Sequence, residues 1–446
     1  MLKKDLAQIA QCLGCNVKVS GVIRGFKQDS REVLPGDLFF AMQGERVDGH
    51  RYLEEIAAKG AIAAVVSKEY RGEGFGLQLL PVDDVLTSLQ MLAKVVHASR
   101  NARVVAVTGS VGKTTTKEFI ATLLEGKFRV GKTPGNANSQ VGVPLSILNY
   151  QGDGEVFVVE MGMTGFHQIE KLIAITPPEI SVITKIALAH AGFFANGIEG
   201  ISEAKAEILS HPLTQTGILN YQVTQYPSSK TGSCQKMTYG LEEEGRQCDF
   251  LLCAQGGNFY VKEGNERSPE FSLPFAALHL CENFMGAVAV ARKMGMQWEE
   301  IISQIPKLAT FKQRFEKVEQ KGIVFINDSY NSSEDSVRAA LVSLPIPKAG
   351  RKKIAVLGTM PDLGVFSDAS HEKVATIALD YVDHLLCLGE ECKPMVDVFN
   401  KASRPVEYFD QLGAIKQRVF ELAQEGDVVL IKGANTKKMW LILESE

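Results

Sequence analysis

The sequence predicts an α/β protein of three modules in series, with a nucleotide-binding parallel sheet in the middle module. Three observations predict it. In RVVAVTGSVGKTTTKEF, an apolar, β-branched strand from Arg103 to Val107 runs into a glycine loop and then a helix. Short apolar strands alternate with helical stretches on both sides of that point, the pattern of a mainly parallel sheet. After an irregular section the alternation restarts, marking a separate unit. A chain of 446 residues has room for roughly two to four domains.

The composition is that of an ordinary globular protein, 45% hydrophobic and 22% charged. A formal net charge of −4 gives no support for bulk binding to nucleic acid or anionic lipid. The opening MLKKDLAQIAQCLG is amphipathic, without the continuous apolar core of a signal peptide. No run approaches the ~20 apolar residues of a membrane span, so a cytoplasmic location without membrane insertion is expected. The eight cysteines are scattered. Cys12 and Cys15 have the spacing of half a zinc site, but no second pair follows, and helical spacing explains them better.

Taken in order, residues 1–82 read as a small α/β unit. Asp37 to Met42 and Ala61 to Val66 are strands, His50 to Lys59 is a helix, Pro35-Gly36 marks a turn and Gly60 a helix stop. Asp29, Ser30 and Arg31 precede the turn, and Arg46, Asp48 and His50 crowd the next loop. Polar loops beside a rigid strand suit either a ligand or plain solvation. Val85, Leu86, Leu89, Leu92, Ala93 and Val96 then recur at helical spacing, predicting a connecting helix.

In the central module the loop Gly109, Ser110, Val111, Gly112 lets backbone N–H groups approach an anion, and the following helix N-terminus adds partial positive charge. Lys113 can reach outer phosphates and the Thr114 hydroxyl can hold Mg²⁺. The usual glycine five residues before Gly112 is Val107, a shortened loop. Glu155 to Gly162 and Glu179 to Ile186 read as further strands, whose carboxyl ends are where ligands gather. Glu160 lies at one such end and His190 beyond the other. Both facing the phosphate loop would complete a Mg²⁺–phosphate site, whereas a lone histidine after a strand is more often a structural hydrogen-bonder. EAKAEIL, with Lys205, opens a helix; from spacing alone Lys205 is a solvated lysine. Gly217 to Ser272 reads as an inserted antiparallel section, and Ala277 to Met296 as a helix with a small-residue face. In the last module Ile354 to Leu357, His384 to Leu388 and Asp427 to Ile431 are strands, with helices near Glu372 to Tyr381 and Gln411 to Glu425. LGTMPDLGVFS lacks a GxGxxG arrangement, so no nicotinamide site is expected.

These motifs, in this order, resemble the Mur ligase family over the whole chain. DSREVLPGDLFFAMQGERVDGH resembles its uridine-nucleotide-binding start, and TGSVGKTTTK its short phosphate loop. GNANSQVGVPLSIL resembles its substrate loop, VVEMGM its metal glutamate and AHAGFF its metal histidine. EAKAEI is similar to the segment whose lysine is carbamylated. NDSYNSSEDSVRAAL with LGTMPDLG points to the branch that adds D-Ala-D-Ala. Departures are Leu280 after His279, Gln313 before Arg314, Thr359 in a usual aspartate position, and Asn435 for an arginine.

The resemblance implies a three-domain Mur ligase architecture: a small α/β N-terminal domain binding a uridine nucleotide (1–82), a linker helix plus central P-loop domain (83–308), and a dinucleotide-fold-like C-terminal domain (309–446). It implies ATP-driven, ADP-forming joining of D-Ala-D-Ala to a UDP-N-acetylmuramoyl tripeptide through an acyl phosphate, for peptidoglycan precursor synthesis, by a monomer. Thr108, Gly109, Ser110, Val111, Gly112, Lys113, Thr114, Asn283, Arg314 and Asp328 would bind ATP. Thr114, Glu160, His190 and carbamylated Lys205 would hold two Mg²⁺ ions, with Lys113, His190 and Lys205 catalytic. Ser30, Arg31, Asn136 and Asn138 would bind the nucleotide-linked substrate. Folylpolyglutamate synthase shares the loop and the chemistry, but that family begins directly with the nucleotide domain. A P-loop switch without ligation would not need Glu160, His190 and Lys205 together.

Overall fold

The computed structural model describes residues 5–44, 47–189 and 191–444. Among these residues the strands form three sheets, of four, nine and six strands. Two residues named above, Arg46 and His190, lie outside the described residues.

The first unit comprises α1 (Leu6–Cys12), β1 (Phe26–Lys27), β2 (Leu38–Phe40), α2 (Leu53–Ala58), β3 (Ala63–Ser67) and β4 (Gln78–Val82). Its strands pair in parallel in chain order. The predicted helix from His50 starts instead as a 3₁₀ turn over Gly49–Tyr52, because the Asp48 side chain accepts from His50 N and tightens the entry. Cys15 donates its thiol to the Pro81 carbonyl at 3.2 Å. Among the described residues no three or more His, Cys, Asp or Glu side chains gather to hold a metal. The connecting helix α3 (Val85–Ala98) is capped by Asp84, which accepts from Thr87 N at 2.7 Å, and buries Val85, Leu89, Leu92, Ala93 and Val96.

The central unit runs β5 (Arg103–Thr108), α4 (Lys113–Leu124), β6 (Val130–Lys132), α5 (Gly142–Asn149), β7 (Val156–Glu160), α6 (Gln168–Ile175), β8 (Ile180–Ile183), α7 (Gly197–Ala206) and β9 (Thr216–Asn220). It continues with β10 (Gln235–Leu241), β11 (Phe250–Gln255), β12 (Asn258–Glu263), β13 (Glu266–Arg267), α8 (Leu278–Lys293) and α9 (Trp298–Gln304). The order across its sheet is β13-β12-β11-β10-β9-β8-β5-β7-β6. β5 is interior, with both faces covered, which explains its unbroken apolar run. Val104 and Ala106 pack on one face with α3 and α5 residues, Val105 and Val107 on the other with α4 and α8. Each fully buried valine contributes roughly 1.5–3 kcal/mol. Gly286 lets α8 approach closely, since a Cβ there would lie 3.1 Å from the Tyr239 ring and 3.4 Å from Thr116.

The section expected to be an antiparallel insertion is corrected here. β9, β10 and β11 continue the main sheet in parallel, and only β12 and β13 are antiparallel. The connection from β9 to β10 is made of 3₁₀ turns at Tyr221–Gln225 and Pro227–Lys230. With no α-helix between these strands, the sequence lacks the alternation that signals a parallel pair. β11 and β12 join through Gly256 and Gly257, both at positive φ, as a two-residue hairpin turn requires.

The last unit runs β14 (Glu316–Gln320), β15 (Ile323–Asn327), α10 (Glu334–Val342), β16 (Lys353–Gly358), α11 (Ser367–Ala378), β17 (His384–Leu388), α12 (Lys393–Lys401), β18 (Val406–Phe409), α13 (Leu412–Leu422) and β19 (Val428–Lys432). Its order is β14-β15-β19-β16-β17-β18, parallel except for β14. Among the described residues no helix is long and apolar enough to cross a membrane.

Candidate active site

Parallel pairing aligns the carboxyl ends of β5, β7 and β8: Val107 is opposite Glu160, and Thr108 opposite Ile183. The loop after β5 therefore opens between the residues that end its two neighbours. Gly109 and Gly112 both have positive φ. A Cβ on Gly109 would collide with Thr184 Oγ1, and one on Gly112 with Asn283 Oδ1. Ser110 N donates to the Lys185 carbonyl at 2.7 Å, and Ser110 Oγ to that of Ala187 at 2.9 Å. Thr184 Oγ1 donates to the Val111 carbonyl at 2.6 Å. The loop is thus tied to the segment after β8 and shaped before any ligand arrives.

Lys113 Nζ donates to the carbonyls of Gly109 and Ser110, at 2.7 and 3.2 Å. Burial lowers its pKa, Glu160 opposes that shift and Arg314 adds to it. Glu160 is 1% exposed. Its Oε1 accepts from Asn138 Nδ2 at 2.7 Å, while its Oε2 is buried without a partner among the described residues. A buried carboxylate oxygen without a donor is costly, and either a cation or a water would satisfy it. Lys205 lies in the last turn of α7, not at the start of a helix as expected, and is 3% exposed. Burial, and then the nearby Lys113 charge, hold its pKa well below the ordinary lysine value. The reading of Lys205 as a solvated surface lysine is therefore corrected.

The C-terminal unit supplies the facing wall. Arg314 Nη2 donates to Thr114 Oγ1 at 2.9 Å, with its guanidinium 4.1 Å from the Tyr330 ring centroid. Asp328, just past β15, accepts from Phe315 N at 3.1 Å and from Lys432 Nζ at 2.6 Å. Buried Lys432 also donates to the Asn331 carbonyl. His279 sets its ring edge-on to Phe315, and burial brings its pKa down to about 4. A further bridge between the units runs from Gly192 N to the Asp362 carbonyl, at 2.9 Å.

These groups enclose a cavity of about 660 Å³. Of the residues singled out from the sequence, Ser110, Val111, Gly112, Lys113, Thr114, Asn136, Asn138, Glu160, Lys205, Asn283, Arg314 and Asp328 all line it. Gly109 lies at the root of the loop. Thr108 does not reach the cavity: it is fully buried and its hydroxyl donates to the Met161 carbonyl, so it fixes the strand end. Ser30 and Arg31 sit in the first unit, away from this cavity. Ser30 donates to Glu55, and exposed Arg31 pairs with Asp29 at 2.5 Å. Lys432 and Tyr330 line the cavity too. Sequence reading gave them no role, although the polar run NDSYNSS directly after an apolar strand was a signal for Tyr330.

Three family models match the chain in order: the Mur ligase family catalytic domain over residues 22–100, the Mur ligase middle domain over 107–291, and the Mur ligase glutamate ligase domain over 313–435. The chain belongs to the Mur ligase family. A Bacillus subtilis (strain 168) relative named UDP-N-acetylmuramoyl-tripeptide–D-alanyl-D-alanine ligase is 32% identical over 94% of this chain and 92% of its own. The crystal structure of MurF from Acinetobacter baumannii superposes with a TM-score of 0.85 at 26% identity, covering 99% of each chain. MurF from Thermotoga maritima in complex with ADP gives 0.76 at 27% identity, over 94% of this chain and 96% of that one. The three-domain α/β architecture read from the motifs is the one this Mur ligase has.

Proposed function

We propose that this chain is the ATP-dependent, ADP-forming ligase that joins D-Ala-D-Ala to UDP-N-acetylmuramoyl-tripeptide in peptidoglycan precursor synthesis. The observation that carries the reading is the convergence of Lys113, Glu160, Lys205 and Arg314 on one cavity between two domains. The full-length likeness to ligases of that name supports the choice of substrates.

In this reaction the γ-phosphoryl group of ATP passes to the terminal carboxylate of the tripeptide, releasing ADP and leaving an acyl phosphate. The amine of D-Ala-D-Ala attacks that carbonyl, phosphate leaves and the nitrogen loses a proton. Carboxylate and triphosphate repel each other, so the site must supply positive charge. Lys113 and the loop N–H groups serve the outer phosphates, and Arg314 reaches the same point from the C-terminal domain. Asp328, held by Lys432, is suited to the ribose hydroxyls, and Asn283 to the base side of the loop. Closure of the C-terminal domain excludes water, which would otherwise hydrolyse the acyl phosphate.

The unpartnered Glu160 oxygen fits a hard cation. Thr114 and Glu160 would hold one Mg²⁺ and His190 with carbamylated Lys205 a second, and such ions supply charge neutralisation at the phosphates. A lowered pKa enlarges the share of neutral amine, the form that adds CO₂, releases a proton and becomes an anionic carbamate. The nucleotide-linked substrate would span from Ser30 and Arg31 in the first domain to Asn136 and Asn138. The domains divide at 1–82, 83–308 and 309–446, and the proposed enzyme is a cytoplasmic monomer. The deciding assay is ADP release with UDP-N-acetylmuramoyl-tripeptide, with and without D-Ala-D-Ala. Sustained ADP release, beyond the single turnover that forming the acyl phosphate allows, should require both; sustained release that ignores the dipeptide would refute ligation.

A further inference from the structure

Lys117 is 0% exposed, the most thoroughly buried ammonium beside the cavity, and it is not among the residues that line it. It stands one turn after Lys113 on α4, so the two side chains leave the same side of the helix. An ammonium has three N–H donors and no acceptor, and taking it out of water is costly unless all three are met. Lys117 Nζ donates to the carbonyls of Thr133 and Gly135, at 2.7 and 2.6 Å, and its charge is paired with Glu118 Oε1 at 2.9 Å. Glu118 is itself held as a carboxylate by Lys132 on β6, at 2.5 Å.

The two carbonyls belong to the loop that carries Asn136 and Asn138. Gly135 turns the loop at positive φ, which glycine adopts without steric cost. From Lys117 the bonding continues into the site. Glu160 N donates to Thr133 Oγ1 at 3.1 Å, Gly162 N to the Asn138 carbonyl at 2.8 Å, and Asn138 Nδ2 to Glu160 Oε1 at 2.7 Å. An apolar side chain at 117 would satisfy none of the loop carbonyls. The helix that starts at the phosphate loop therefore also sets the height of the loop opposite it.

We propose that Lys117 is a positioning residue that ties the 133–138 loop to the phosphate-loop helix, so that Asn138 is oriented for the nucleotide-linked substrate. The assignment of that substrate rests on the function proposed above; the tie itself does not.

The test has two arms. Hydrogen exchange on the unliganded protein compares parent and Lys117→Met: amides 133–140 should exchange about tenfold faster or more, the scale of losing charge-assisted hydrogen bonds, with those of α8 unchanged. Unchanged exchange at 133–140 would overturn the tie whatever the enzyme does. In the ligase assay, Lys117→Met should raise KM for the UDP-linked tripeptide about tenfold while KM for ATP stays within about twofold, and Lys117→Arg should recover part of the loss. A parallel rise in every KM would overturn the positioning role. If Lys117→Met does not fold, Lys117→Arg alone decides, since its bulkier head should still separate the two KM values. A parent without ligase activity would sink the function and leave the exchange result standing.

Discussion

Arg314 of the C-terminal domain donates a 2.9 Å hydrogen bond to the hydroxyl of Thr114, in the first turn of the phosphate-loop helix 200 positions earlier. Tyr330 braces the guanidinium from its own domain. Two domains thus meet at the place where the phosphates of ATP would lie. Replacing Arg314 with alanine should lower kcat about 100-fold or more, the scale of removing one preorganised charge. The thermal midpoint should move little, because neither domain core includes the side chain. A kcat within a few-fold of the parent would make the contact merely structural.

Lys113→Ala should abolish turnover and leave the fold intact. The ammonium is buried at the loop and bonds only to backbone carbonyls that water or a ligand can replace. Circular dichroism and a melting curve test the fold, and ADP release tests turnover. Near-normal ligation in this variant is the result that sinks its assignment.

Lys205 is expected to work as a carbamate. Lys205→Ala should lose activity, and added formate or acetate should restore part of it by supplying the missing carboxylate. The parent, stripped of bicarbonate at mildly acidic pH, should slow and recover when bicarbonate returns. Activity indifferent to both treatments excludes the carbamate.

His97, on the connecting helix, gives a pH prediction away from the cavity. Burial, helped by the Arg100 charge, lowers its pKa from 6.5 to about 4. The folded protein keeps this ring neutral while the unfolded chain protonates it, so stability falls as pH drops from about 6.5 towards 4 and is unaffected above that window. The loss reaches roughly 3 kcal/mol. Denaturant melts of parent and His97→Gln should converge or cross as pH falls from 7 to 4.5; a constant gap would contradict the buried neutral form.

The phosphate loop was legible because its chemistry is written in glycines: Gly109 and Gly112 leave no room for a side chain against Thr184 and Asn283. Glu160 was legible as a charge ending an apolar strand. Lys205 was not, since its burial comes from packing of α7 that no local pattern encodes, and only the family resemblance pointed to it. Lys117 was hidden for another reason: its partners are backbone carbonyls, which every residue has. The strands β9 to β11 were misread because 3₁₀ turns replaced the helix expected between parallel strands. The strands β14 and β18 went unnoticed as half-exposed edges, where polar letters mask the alternation.

The strand order has a practical side. The Gly256–Gly257 turn lies between β11 and β12, four or more strands from β5, which at the usual strand spacing is roughly 20 Å from the phosphate loop. Both glycines are exposed and have open space around them. A fluorophore or short affinity loop spliced there would ride on the rigid central sheet yet stay clear of every moving wall of the cavity. Paired with a second label on the C-terminal domain, it becomes a ruler for domain closure during a single catalytic cycle.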